Sequence, residues 1–196
     1  MMPGPGMTEI LERTGALLKG HFLLTSGMHS DSYVQCALAL RDPRDAELIG
    51  RNLMELFREF RPDLVAGPAM GGVILAHEVA RAAGVPCVFS ERENGVMTFR
   101  RGFRIEPGQK VLVVEDVITT GGSVMEVVSL VRQAGGQVVG VGAIVNRSGS
   151  DSLMDVPMRS LVSLGLAKYT AGECPLCRAG TPAVKPGSRS IQKGKE

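Results

Sequence analysis

Glu115 and Asp116 stand side by side, and after Val117 and Ile118 comes the run Thr119-Thr120-Gly121-Gly122-Ser123. Each half of this stretch has a chemistry. Glycines let the backbone approach a ligand closely, and free N–H groups at a helix start bind phosphate with help from the helix dipole. The Thr and Ser hydroxyls add donors. Carboxylates so close to that turn would repel a phosphate placed over them, so they must face another part of the same ligand, and sugar hydroxyls are the donors that suit them. A ribose 5-phosphate has both ends: phosphate in the turn, 2′- and 3′-hydroxyls on Glu115 and Asp116.

Two commoner phosphate sites are excluded by the wording. A Walker loop needs a Lys after its second Gly, whereas Gly122 is followed by Ser123. A dinucleotide fingerprint reads G-x-G-x-x-G and carries its acid about twenty residues downstream, not just before the turn.

The elements that must hold these residues are legible around them. Val111 to Val114 is a continuous apolar run that suits a strand buried on both faces of a parallel sheet, with the acids where the strand should leave it. Val124, Val127, Val128 and Val131 then repeat on one helical face, and Gly135-Gly136 stops the helix. Upstream, residues 8–19 read as a helix stopped by Gly20, and residues 21–24 and 32–36 as the arms of a hairpin. Asp42-Pro43 opens a helix ended by Pro62. Residues 63–67, 85–90, 137–145 and roughly 158–164 read as further strands, and residues 73–83 as a helix capped by Gly84. Strands alternating with helices imply an α/β fold with a mainly parallel central sheet flanked by helices.

Other residues offer chemistry at the ends of these elements. Ala69-Met70-Gly71-Gly72 is a tight turn between a strand end and a helix start, either a packing turn or a ligand loop. Residues 91–109 show no sustained period but contain Arg92, Arg100, Arg101 and Arg104, which suits a lid over an anion. Arg147, in Asn146-Arg147-Ser148-Gly149, falls at the strand end where open α/β sheets bind ligands, and its planar fork suits a carboxylate. Cys174-Pro175-Leu176-Cys177 is half a zinc site; no His follows it, and Cys36 and Cys87 are distant in sequence. His77 lies within a helix and reads as structural.

The chain has 196 residues, 44% hydrophobic and 21% charged, which describes one ordinary globular domain. A net charge of +2 gives no case for nucleic-acid or membrane binding, and the absence of Trp argues against stacking platforms for single strands. No apolar run is long enough to span a bilayer. Four cysteines without a secretory signal point to the cytoplasm.

The acidic-TTGGS stretch resembles the PRPP (phosphoribosyl diphosphate) motif of the type I phosphoribosyltransferases. Gly20, Phe22, Leu24, Ser26, Gly27, Ser30 and Tyr33 further match the hood phrase G-x-F-x-L-x-S-G-x-x-S-x-x-Y of the orotate phosphoribosyltransferases, and the tail P-x-V-K-P-G-S-R is similar to that of one long-chain branch. The resemblance implies a core over residues 41–165 beneath an N-terminal hood (residues 1–40), with a C-terminal appendage (residues 166–196). It implies Mg²⁺-dependent transfer of ribose 5-phosphate from PRPP to orotate. PRPP would then meet Glu115, Asp116, Val117, Ile118 and Thr119 to Ser123, with Met70 and Gly71 near the diphosphate. Orotate would meet Thr119, Arg147, Ser26 and Tyr33. Mg²⁺ would be held through substrate oxygens and water rather than by the protein. A lid shared between the subunits of a homodimer would bring Arg92, Arg100 or Arg101 to the diphosphate. The chain departs from the family at Thr25 and in the Met70-Gly71 loop, where relatives carry Lys, and in a lid without Lys or His. Two rivals share the central motif: a purine phosphoribosyltransferase, and a non-catalytic PRPP-sensing regulator. The tail beyond Ile191 reads as polar and frayed.

Overall fold

The computed structural model describes residues 6–24, 26–165 and 167–186; Thr25 and the tail beyond Ile191 lie outside them. Helix α1 (Met7–Arg13) precedes a hairpin of β1 (Leu17–Leu23) and β2 (His29–Val34). A short α2 (Ala37–Leu40) leads into α3 (Pro43–Glu55), a 3-10 turn (Arg58–Phe60), β3 (Leu64–Pro68) and α4 (Gly71–Ala83). Strands β4 (Cys87–Glu93), β5 (Val96–Phe99) and β6 (Lys110–Ile118) follow, then α5 (Gly122–Gln133) and β7 (Gln137–Asn146). The chain closes with β8 (Ser152–Leu153), β9 (Val156–Ser163) and the short α6 (Pro175–Arg178).

Seven strands form the main sheet in the order β5-β4-β3-β6-β7-β9-β8. The five central ones are parallel, and the edge strands β5 and β8 pair antiparallel. The pleat sends alternate side chains of β6 to opposite faces. Leu112 and Val114 join α3 and α4 in one core, while Val111 and Val113 join α5 in the other. Counting only the parallel strands, the order is 2-1-3-4-5, and it reverses between β3 and β6. In open α/β sheets the crevice beyond the carboxyl ends of such a pair is where ligands bind.

Several expected elements shift, each for a local reason. The first helix ends at Arg13, not at residue 19: Thr14 turns its hydroxyl onto the Ile10 carbonyl (2.7 Å), and Gly15 takes φ +70°. Leu17 and Leu18, which carry helical spacing, pair with Val34 and Tyr33 instead, so sheet hydrogen bonds override local periodicity. His29 and Ser30, read as turn residues, are buried in β2. The central strand runs through Ile118, so Glu115 and Asp116 lie within it rather than beyond its end. Residues 91–109 are not wholly irregular. Glu93 pairs with Val96 across Asn94-Gly95, both at positive φ, which is the two-residue hairpin turn that Asn-Gly favours.

Where sequence and structure agree, the cause is visible. Asp42 caps α3 by accepting from the Arg44 N–H at 3.0 Å, with Pro43 as the first helical residue. Gly84 ends α4 at φ +71°. The four valines expected on the inner face of α5 are all buried.

Candidate active site

Two cavities open at the carboxyl ends of β6 and β7 and share Val117, Thr119 and Thr120 as a common wall. The first, about 250 Å³, is lined by Glu115, the 117–124 turn, Arg92 and Glu126. The second, about 440 Å³, lies between Asp116, Arg147, the hairpin residues Leu23, Leu24, Ser26 and Tyr33, and Lys168 and Pro186 of the C-terminal segment.

The acidic pair is divided between them. Adjacent strand residues point to opposite faces, so Glu115 enters the first cavity and Asp116 the second. A ligand touching both must cross the shared wall. The Asp116 Oδ1 accepts from the Val117 N–H at 2.8 Å, and Glu115 Oε1 from the Asp116 N–H at 3.2 Å, which fixes both carboxylates against their own strand. Burial, with Asp116 as neighbour, pushes the Glu115 carboxyl up to about 8, so it holds its proton at neutral pH in the free protein. Behind them the buried Cys36 thiol donates to the Asp116 carbonyl at 3.7 Å. Burial and the nearby acids raise that thiol well above its usual range.

The turn after β6 is built for backbone approach. Gly121 sits at φ +78° as the N-cap of α5, a conformation costly to residues with a Cβ. The N–H groups of the first turn of this helix have no partner within it and open on the first cavity. Gly71 is required for a different reason. A Cβ there would lie 2.6 Å from Asp116 Oδ1, so only glycine lets the Met70-Gly71 turn rest against that carboxylate. Met70 itself is exposed, and neither residue lines the two cavities.

Arg147 is the most telling side chain in the second cavity. Its backbone N–H donates to Ile118 at 2.8 Å, and the turn is pinned by the buried Asn146, whose Oδ1 accepts from the Ser148 N–H (2.9 Å) and hydroxyl (2.7 Å). The guanidinium Nε and Nη2 are buried without a hydrogen-bond partner among the described residues. Desolvation accordingly lowers its proton affinity. A half-buried cation with idle donors is a strong electrostatic reason to expect an anion. Lys168 adds a second cation that no sequence motif announces; the C-terminal segment brings it there.

The lid arginines divide. Arg92 lines the first cavity but is held by Glu126 in a two-pronged pair (2.6 and 3.0 Å). Both partners are substantially exposed, so solvent screens the pair and it contributes little to stability. Arg100 pairs with Glu93 at 3.1 Å, and Arg101 pairs with Glu91 at 3.1 Å while stacking over Phe89. Neither lines the two cavities.

Cys174 and Cys177 are brought to His21 and His29 of the hairpin, and none of the four lines the two cavities. Sequence spacing hid this arrangement, because the two histidines precede the cysteines by most of the chain.

Comparison with known proteins agrees with this geometry. Residues 39–163 match the phosphoribosyl transferase domain. The chain is 55% identical over 183 residues to the orotate phosphoribosyltransferase of Caldanaerobacter subterraneus subsp. tengcongensis, covering 93% of this chain and 96% of that one. Among solved structures it is similar to the orotate phosphoribosyltransferase of Aeropyrum pernix (TM-score 0.70, 25% identity, covering 81% of this chain and 94% of that one). It is also similar to that of Mycobacterium tuberculosis H37Rv in complex with PRPP (TM-score 0.61, 28% identity, 84% of this chain and 92% of that one). On these matches the chain belongs to the phosphoribosyltransferase family, among the orotate phosphoribosyltransferases.

Proposed function

We propose that this chain transfers the ribose 5-phosphate group from PRPP to orotate, giving orotidine 5′-phosphate and diphosphate, a step of pyrimidine synthesis. The observation that carries the base assignment is the buried, unpartnered fork of Arg147 in the second cavity. Orotate carries a planar carboxylate beside ring carbonyls, which that fork and Lys168 would neutralise and orient. A purine base has no such anion, and leaving the fork idle would cost binding energy.

The two cavities then divide the substrates. The Thr119–Ser123 turn takes the 5′-phosphate on backbone N–H groups and hydroxyls. Glu115 and Asp116, one on each side of the shared wall, take ribose hydroxyls and face the anomeric carbon. The orotate ring nitrogen forms its bond to that carbon as the carbon–oxygen bond to diphosphate breaks; the bonding pair leaves with diphosphate, and the proton lost from the ring nitrogen passes to the diphosphate or to water. Positive charge develops on the ribose, as in glycoside hydrolysis. Most of the barrier is lowered by holding the two reactants in line.

The carboxylates of Glu115 and Asp116 and the hydroxyls of Thr119 and Thr120 line the two cavities, and oxygen ligands of this kind suit the hard cation Mg²⁺. Bound through substrate oxygens and water, with Asp116 as the nearest protein carboxylate to the Gly71 turn, it would neutralise the diphosphate. Arg92 exchanges Glu126 for the departing diphosphate. Arg100 and Arg101 line neither of the two cavities of their own chain; as the family resemblance implies, they would serve the site of a second copy in a homodimer. The hood, core and appendage work as one unit, since hairpin, sheet and tail all border the second cavity. Four free cysteines suit a reducing cytoplasm; among the described residues no helix is long and apolar enough to cross a membrane.

Loss of orotate absorbance on adding PRPP and Mg²⁺ tests the proposal. Turnover only with a purine base would replace it with the purine enzyme, and PRPP binding without turnover of either base would replace it with a sensor.

A further inference from the structure

Outside the lining of the two cavities, four potential ligand atoms converge on one point. They come from His21, His29, Cys174 and Cys177, and all lie within 4.8 Å of one another. The His21 Nε2 is 3.4 Å from the Cys174 Sγ and 3.6 Å from the Cys177 Sγ; the His29 Nδ1 is 3.3 Å from the Cys177 Sγ. Both imidazoles and Cys174 are buried. We propose that these four residues bind a structural Zn²⁺ ion that fastens the C-terminal segment to the N-terminal hairpin.

The geometry can be checked against the ion. Zn–S bonds of about 2.3 Å and Zn–N bonds of about 2.0–2.1 Å at tetrahedral angles place sulfur and nitrogen about 3.6 Å apart. All three sulfur–nitrogen distances given above fall within about 0.3 Å of that value. The two ring nitrogens are 2.6 Å apart, and they would separate by about 0.7 Å around the ion. Two thiolates and two imidazoles are a donor set that selects zinc over hard cations. With four protein ligands no position is left for substrate, which marks a structural site rather than a catalytic one.

The surroundings are already those of a metal centre. The outer nitrogen of His21, Nδ1, is 2.7 Å from the Thr181 carbonyl. Donation there fixes the tautomer and leaves the Nε2 lone pair facing inward. His21 lies where the β1–β2 register slips between Lys19 and Phe22, a bulge that re-aims a side chain. Cys174 is the N-cap of α6, whose single turn carries Cys177 back beside it.

The fold gives the staple a task. A two-stranded hairpin and a four-residue helix are each marginal alone. Among the described residues, backbone bridges join the hairpin to the C-terminal segment at two places, Phe22 with Val184 and His29 with Tyr169. A bond network among His21, His29 and the two cysteines closes the gap between those bridges.

This inference does not depend on the transferase reading, and its test needs no substrate. Untagged full-length protein, purified under reducing conditions without added metal, should contain about one zinc per chain by elemental mass spectrometry. After zinc is removed with a chelator, Co²⁺ should restore a thiolate-to-cobalt charge-transfer band together with tetrahedral d–d bands. C177S should lose the charge-transfer intensity in proportion, and the C174S/C177S double variant should lose the zinc. The proposal is overturned if the wild-type chain carries no zinc and gives no charge-transfer band with Co²⁺, because the imidazoles then form only a hydrogen-bonded pair. It is equally overturned if the double variant keeps its zinc or if Cys174 and Cys177 prove to be disulfide-linked in the purified protein. The wild-type measurements decide the matter even if a variant fails to fold.

Discussion

Replacing Arg147 by alanine should separate binding from stability in a way few core-facing substitutions do. In the free protein its Nε and Nη2 are buried without a partner, and desolvation already lowers its proton affinity. An unsatisfied buried polar group costs about 1–3 kcal/mol, and the half-buried position of this residue favours the lower end. Removing it should therefore leave the free protein unchanged or stabilise it by about 1–2 kcal/mol. With orotate bound, the same atoms would make two charge-assisted hydrogen bonds at about 1.5–3 kcal/mol each. Their loss should raise the KM for orotate, or lower kcat/KM, by roughly 10²–10⁴-fold, with a much smaller change in the KM for PRPP. R147K keeps the charge but loses the planar fork, and should fall between. Urea denaturation of the free protein and initial rates from orotate absorbance measure the two quantities. The reasoning fails if R147A destabilises the free protein by more than about 2 kcal/mol, or if the KM for PRPP rises by the same factor as that for orotate.

Glu115 gives a pH signature. Its carboxyl is raised from 4.5 to about 8, so between those values the folded state holds a proton that the unfolded state has released, and stability falls as pH rises through that window. E115Q should flatten this decline and be more stable than wild type at pH 9, by about 2–3 kcal/mol in urea melts if half the shift is expressed; parallel pH profiles would refute the assignment. G71A should press a methyl group onto the Asp116 carboxylate, which its own strand holds in place, and so lower the melting temperature together with kcat/KM for PRPP, the latter by at least about tenfold, which calorimetry and steady-state rates can check. R92A should leave the urea midpoint almost unchanged because its pair with Glu126 is exposed, yet raise the KM for PRPP roughly tenfold. Zinc-stripped protein should show a larger rise in the KM for orotate than for PRPP, since Lys168 and Pro186 belong to the segment the ion would hold; equal shifts would speak against that linkage.

How much was legible follows from what is contiguous. The β6–turn–α5 unit carries the acids, the phosphate turn and the valine face in one unbroken run, so its residue types declared both the fold and the ligand. The Asn146-Arg147-Ser148-Gly149 turn was readable for the same reason: a strand end, a pinning Asn and a cation adjoin in sequence. Asn94-Gly95 carries an equally local hairpin signal, but the lack of period in the stretch around it masked that signal, and the β4–β5 pairing emerged only in the structure. Residues 8–19 misled because a local apolar period cannot report that Leu17 and Leu18 have strand partners further along the chain.

Tertiary structure decided what depends on residues meeting from a distance. The pleat of β6 set Glu115 and Asp116 into separate cavities, which composition alone would have left in one. The C-terminal segment delivered Lys168 to the second cavity without any motif. His21 and His29 found Cys174 and Cys177 only because the tail returns along the hairpin. Sequence determines what short stretches of backbone can do by themselves, since their hydrogen bonds and apolar faces are fixed within a few residues. Where distant side chains converge is fixed by packing of the whole chain, and that information is written in no single stretch.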